Sequence, residues 1–319
     1  MRNSFRYTPL SAEKSCALFR QLAQLEKSGF HADKAFALIA DTDKALKLRL
    51  HAIQTHIKAG KPIAEAGFKA GLFNAVQQAL IHAAESGGTL ATVYTRLADH
   101  YATRAQRLRK IKTQCLFPAL LLIISLFLQP LPALVAADIS LLQYLQLSAG
   151  KLALLAFTVY FAISLPSILN NMGLTAAFHR VQIQLPLVSG WIIKRQLNDF
   201  YHNLTLLLTA GLAFSEALPK AVAGIPNSAL QLQFAPALAN ATTGERVTDV
   251  LLMVKSIRGP VLQVVNSSEH SGTLAKGLHH FAQLEAGNLH LQDDLLAEWL
   301  PRLVYAVIAA GIAKSLIGF

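Results

Sequence analysis

Three long stretches of this 319-residue chain are almost free of charge, and the segments outside them repeat leucine at helical spacing. Thr113 to Gln129, TQCLFPALLLIISLFLQ, runs 17 residues without a charge, the short end of what a helix needs to cross a roughly 30 Å hydrocarbon layer. Leu152 to Leu169 is a second such stretch, with Lys151 at its border. Leu303 to Phe319 is a third; Lys314 interrupts it, near an end from which an amine can snorkel to the interface. The pattern predicts membrane helices over 113–129, 151–170 and 300–319, with a loop over 130–150. Elsewhere Leu18, Leu22 and Leu25, and again Leu204, Leu207 and Leu208, fall on one helical face and are followed by Gly29 and Gly211, where a helix would stop. Strand-like alternation is scarce. The expected class is therefore all-α: a polytopic membrane protein with a short tail over 1–10, two duplicated cytoplasmic helical-bundle domains over 11–112 and 180–299, and three transmembrane helices.

The duplication is written in the residues. Glu85 to Leu90 reads ESGGTL, and 184 positions later Glu269 to Leu274 reads EHSGTL. Gly60 and Gly244 share that offset, whereas Gly29 and Gly211 are 182 apart, so the second copy gains two residues between those glycines. Asp33 and Ser215 follow the first glycine pair as candidate helix N-caps. Gly88 and Gly272 should turn one helix into the next, with Thr89 or its neighbour capping and Leu90 and Leu274 pinning the turn to the core. Glu85 and Glu269 read in two ways: as solvated last-turn residues, unfavourably placed against the helix dipole, or as groups with a partner inside the bundle, a cation or another protein.

Composition fits a membrane protein, with 53% apolar and only 15% charged residues. The net charge of +11 is unevenly spread. Arg104, Arg107, Arg109, Lys110 and Lys112 crowd the start of the first apolar stretch, while 130–150 contains Asp138 and no lysine or arginine. By the positive-inside rule the N-terminal region is cytoplasmic and that loop is periplasmic; Arg180, Lys194 and Arg195 keep the middle segment cytoplasmic as well. The basic helix suits anionic lipid or a cytoplasmic motor protein, and nucleic acid ranks below both because no aromatics interleave the cations. Cys16 and Cys115 lack metal-type spacing and read as free thiols, and the polar N-terminus has no signal-peptide core.

Catalytic patterns are missing. Gly60-Lys61 is followed by proline and lacks the upstream glycine of a phosphate-binding loop, and neither H-E-x-x-H nor G-x-S-x-G occurs. The densest histidines, His279 and His280 with Glu285 and His290 beyond, point to different sides of a helix, so neither a metal nor another cofactor is expected. Asp293 and Asp294 read as a solvated helix face.

Taken in order, the leucine helix ending at Gly29, the Glu-x-Ser/Gly-Gly-Thr-Leu turn, the basic helix running into Phe117-Pro118, Gln129-Pro130 and Leu185-Pro186 with Gly190 resemble the type II secretion system F / type IV pilus inner-membrane platform protein family, over about residues 15–319. The order of these features, duplicated around a hairpin of spans, carries the resemblance. Departures are Leu300 where many members have glutamate before the proline, here Pro301, and a third span ending SLIGF without a closing proline. The resemblance implies a non-enzymatic platform in a bacterial inner membrane that couples a cytoplasmic assembly ATPase to insertion of pilin or pseudopilin subunits into a filament. It also implies contact with other inner-membrane assembly components and homo-oligomerisation. Ala306, Ala309, Ala310 and Gly311 would let an apolar helix approach closely. A transporter or channel subunit is the competing class, and would require ionisable residues deep in the spans.

Overall fold

Polar caps and left-handed glycines cut the chain into helices. The computed structural model describes residues 10–42, 46–137, 139–171, 175–242, 244–257 and 259–317, and among them there is no strand. The first half holds α1 (Ala12–Lys27), α2 (Ala32–Thr42), α3 (Lys47–Lys58), α4 (Ile63–Lys69), α5 (Ala75–Gly87) and α6 (Leu90–Leu128). Then come α7 (Leu131–Val135), α8 (Leu141–Asn171), α9 (Thr175–Gln184), α10 (Pro186–Thr209) and α11 (Phe214–Ala223). The rest is α12 (Ser228–Leu232), α13 (Ala235–Asn240), α14 (Val247–Leu252), α15 (Pro260–His270) and α16 (Leu274–Ile317). Apart from Leu10, the tail expected over 1–10 lies outside the described residues, as do Asp138, Gly318 and Phe319 and the side chains of Cys115, Pro118, Gly311 and Lys314. Cys16 is a free thiol.

Helix starts follow capping chemistry. Ser11 Oγ accepts the Lys14 N–H (3.3 Å), and Asn74 with Gln77 forms a reciprocal capping box that opens α5. Asp33 and Ser215 are not the caps that their residue types suggest: α2 starts at Ala32 and α11 at Phe214, so each lies inside the first turn. There Asp33 still complements the positive end of the helix. At Gly88 (φ 65°) and Gly272 (φ 67°) the backbone is left-handed, and Thr89 N–H donates back to Ala84 O, as Thr273 N–H does to Ser268 O.

The chain divides into two compact units, Met1–Gln106 with His179–Gly287 and Arg107–Phe178 with Asn288–Phe319. In the first unit Phe19 stacks on Phe73 and Tyr101, both at 5.9 Å between ring centres, while Phe200 lies 4.8 Å from Phe234. These rings belong to a single buried cluster, because α5 packs on α4 and also on α10 and α11. The segments expected as two bundles at 11–112 and 180–299 share one core, and this compact unit ends at Gln106 and Gly287. The apolar surface left on α5 is the physical reason: burying it against the second half removes it from water.

In the second unit the stretch expected to be a loop, 130–150, is largely helical: α7 lies within it and α8 begins at Leu141. Lys151, taken from sequence as the border of the second span, sits inside α8, and its Nζ donates to Gln129 Oε1 (2.8 Å). Tyr144 Oη donates to Phe127 O (3.0 Å) and ties the same two segments together. Among the described residues Leu141–Phe161 is the helix long and apolar enough to cross a membrane, and a shorter apolar stretch covers Ala119–Val135.

Gly67 in α4 faces the Phe73 ring so closely that a Cβ would lie 2.1 Å from Phe73 Cδ2. Gly67→Ala is expected to lower stability by about 1–3 kcal/mol through overpacking. A drop in the urea midpoint at unchanged m checks it, and an unchanged midpoint would refute it.

Candidate functional site

Short helices expose amides at their N-termini, and at α4 and α14 the residues at the cap positions, Pro62 and Arg246, make no side-chain capping bond. A carboxylate from the following helix supplies one in each. Ile63 N–H donates to Glu85 Oε1 (2.8 Å) and Ala64 N–H to Glu85 Oε2 (3.4 Å). Val247 N–H donates to Glu269 Oε1 (2.6 Å), Thr248 N–H to Glu269 Oε2 (3.1 Å), and Thr248 Oγ1 to the same oxygen (2.8 Å). Of the two sequence readings, solvated residue or bundle-internal partner, the geometry agrees with the second. Each glutamate loses dipole energy at the end of its own helix and regains it at the start of another. Beside Glu85 a shallow cleft opens, lined by Lys61, Pro62, His82 and Ser86.

The basic stretch lies wholly on α6. Arg104, Arg109 and Lys112 are exposed, and Lys110 Nζ meets Asp294 Oδ1 of α16 at 2.7 Å. Asp294 is therefore not simply a solvated face, although an exposed pair of this kind contributes at most about 1 kcal/mol. Nearby His290 is held below its usual pKa, first by burial and then by Arg107, with Asp293 and Asp294 pulling the other way.

Histidines gather where the sequence did not point. His100 of α6 stacks on His202 of α10, with ring centres 4.3 Å apart and planes 18° apart, and His279 of α16 lies 6.5 Å from His202. His280 is exposed. No group of three metal-ligating side chains with suitable geometry occurs among the described residues. Burial first, then the neighbouring His279, pushes the His202 pKa down to about 4. The only sequence signal for this cluster was His279 itself, because its partners lie on distant segments.

Known proteins share this sequence pattern. Residues 18–136 match the family described as Type II secretion system (T2SS), protein F. The chain is 24% identical to "Type II secretion system protein F" of Pseudomonas aeruginosa, over 90% of this chain and 76% of that protein. It is 24% identical to "Protein transport protein HofC homolog" of Haemophilus influenzae, over 98% of this chain and 85% of that protein. It is 25% identical to "Type IV pilus assembly protein PilC" of Thermus thermophilus, over 64% of this chain and 56% of that protein.

Two outcomes follow from the geometry. Glu85→Ala and Glu269→Ala should each destabilise the first unit by about 1–3 kcal/mol, with Glu269→Ala worse because a hydroxyl donor is stranded too; urea midpoints check both the loss and its order. His202 binds its proton less readily folded than unfolded, so stability is full above about pH 6.5 and falls, by up to about 3 kcal/mol, as pH drops toward 4. Melting temperatures at pH 7.5 and 4.5 should show this loss, and His202→Gln should flatten it.

Proposed function

We propose that this chain, which belongs to the type II secretion system protein F family, is the inner-membrane platform of a type IV pilus or type II secretion assembly machine. The observation that carries the reading is the capped-helix arrangement, Glu85 on α4 and Glu269 on α14, occurring twice in a chain whose relatives bear secretion and pilus-assembly names. It supports a duplicated pair of cytoplasmic bundles over 11–112 and 180–299. The spans in this reading are 113–129, 151–170, with the apolar helix reaching back to Leu141, and 300–319; the connection within 130–150 is periplasmic and the N-terminus cytoplasmic.

Mechanically, a platform needs a rigid body that receives a push and helices that continue unbroken from it. The single buried cluster of the first unit supplies rigidity, and α6 and α16 are uninterrupted over 39 and 44 residues. A cytoplasmic assembly ATPase acts on the bundles, other inner-membrane assembly components hold the platform in place, and pilin or pseudopilin subunits pass from the bilayer along the spans. Ala306, Ala309 and Ala310 are exposed on α16, as close approach of an apolar helix requires. Arg104, Arg109 and Lys112 face solvent, where anionic lipid headgroups would each contribute about 1 kcal/mol. Nothing in this role requires catalysis. Lys151, inside an apolar helix, is an ionisable residue of the kind a solute pathway would use; its bond to Gln129 gives it a structural use instead.

Crosslinking in cells, followed by pull-down of the tagged chain and mass spectrometry of linked peptides, tests the platform. Expected are links from 11–112 or 180–299 to a secretion-type ATPase and from the spans to pilin-like peptides. Recovery of the chain without either partner, alongside ion or solute flux in vesicles, would favour the transporter.

A further inference from the structure

None of the ten residues of α9 is buried, and an isolated helix of that length does not hold in water. What ties it to the protein is polar. Asn227 Nδ2 donates to His179 O (3.1 Å) and to Gln182 Oε1 (3.3 Å), and Ser228 N–H donates to His179 Nδ1 (3.1 Å). These bonds occupy one face of α9. The opposite face, Ala177, Arg180, Val181 and Gln184 at i, i+3, i+4 and i+7, is exposed. Leu185, between the two helices, is 49% exposed, and on the first three turns of α10 Trp191 and Lys194 are exposed as well. The Arg195 guanidinium lies 4.1 Å from the centre of the Trp191 ring.

An elbow that leaves valine, leucine and tryptophan in water is stabilised by whatever covers them. Chain length and charge both say what does. Thr175 is five residues beyond the proposed end of the second span at 170, and five residues reach at most about 18 Å, so the elbow starts close to the bilayer. Between Asp138 and Asp199 the sequence has no acidic residue, so the charges that the elbow carries, Arg180, Lys194 and Arg195, are all positive. Such a surface complements anionic phospholipid. Tryptophan suits the same place, because its ring favours the apolar side of the headgroup layer while its N–H stays with polar groups.

We propose that the α9–α10 elbow lies on the cytoplasmic surface of the bilayer, with Val181, Leu185 and Trp191 entering the headgroup layer and Arg180 and Lys194 meeting the phosphates of anionic lipid. The polar tether to Asn227 and Ser228 then fixes the packed face of α9, while lipid covers the other. The second half of the chain holds lipid at its entry through its own side chains, independently of the cations on α6. The inference deepens the platform reading and rests on its topology, in which α8 crosses the bilayer.

The test uses the full chain in nanodiscs, one set made of phosphatidylcholine and one of an equal mixture with phosphatidylglycerol. Trp299→Phe leaves Trp191 as the single tryptophan. Lipid carrying a nitroxide on its headgroup should quench Trp191 emission, more strongly in the mixture than in phosphatidylcholine alone. Arg180→Glu with Lys194→Glu should bring quenching in the mixture down to the phosphatidylcholine level, with an unchanged melting temperature because both side chains are exposed. A second chain with Trp191→Phe, Trp299→Phe and Val159→Trp reports on α8. Lipid brominated at mid-chain should quench it, since Val159 is exposed near the middle of the proposed span. If that chain is quenched while the nitroxide lipid leaves Trp191 untouched, the elbow proposal fails, its exposed face is left to a protein partner, and the platform reading stands. Equal quenching of Trp191 in both lipid sets would overturn the part given to anionic headgroups. An unquenched Val159→Trp chain would overturn the span, and the inference with it.

Discussion

A helix of six or seven residues does not hold its shape in water, because its first turn costs more order than its few hydrogen bonds return. Both halves of this protein depend on such a helix, α4 with seven residues and α14 with six, and in both the missing stability comes from a carboxylate one helix further on. The turn at Gly88 or Gly272 explains why that acid is where it is. A left-handed glycine ends α5 or α15 three residues after the glutamate, so the side chain leaves the helix in its last turn and reaches the free amides of its neighbour. Helix, turn and cap form one unit, and core residues such as Ala64, Ala66, Val250 and Leu251 are buried in register with it.

Much of this could be read from the chain alone, wherever the cause is local. The glycines at 29, 60, 88, 211, 244 and 272 all adopt positive φ, and helices such as α1 and α10 carry the leucines that mark the buried faces. Legibility stops where a cause acts across space. Glu85 and Ile63 are 22 residues apart, and nothing in either residue names the other. Asp33 and Ser215 have cap chemistry but lie a residue too far into their helices. His100 looks unremarkable in sequence until α10 brings His202 against it. The stretch 130–150 reads as a loop because it connects two apolar runs, yet Gln143 Oε1 accepts the Ser140 N–H and Ser140 Oγ accepts the Gln143 N–H, a reciprocal pair that starts α8 at Leu141.

The sharing of one core by two halves has a cost in acid tolerance. His202 occupies a position where a protonated ring cannot be solvated, beside a second imidazole that would repel it. Neutral pH suits that arrangement. Tyr94 and Tyr201, both pushed upward by burial, keep their phenols protonated there, so the aromatic core carries no charge of its own.

Lys151 and Gln129 bear on how such a chain is made. If the proposed spans are right, each apart from the other would carry an unpartnered amine or amide into hydrocarbon, at a cost of several kcal/mol. Joined at 2.8 Å, with Tyr144 closing the same pair of segments, they share that burden. On the proposed topology, in which both segments cross the bilayer, this pairing favours biogenesis in which the first apolar segment waits at the insertion machinery until α8 has been synthesised, and the two then move sideways into lipid as a finished hairpin.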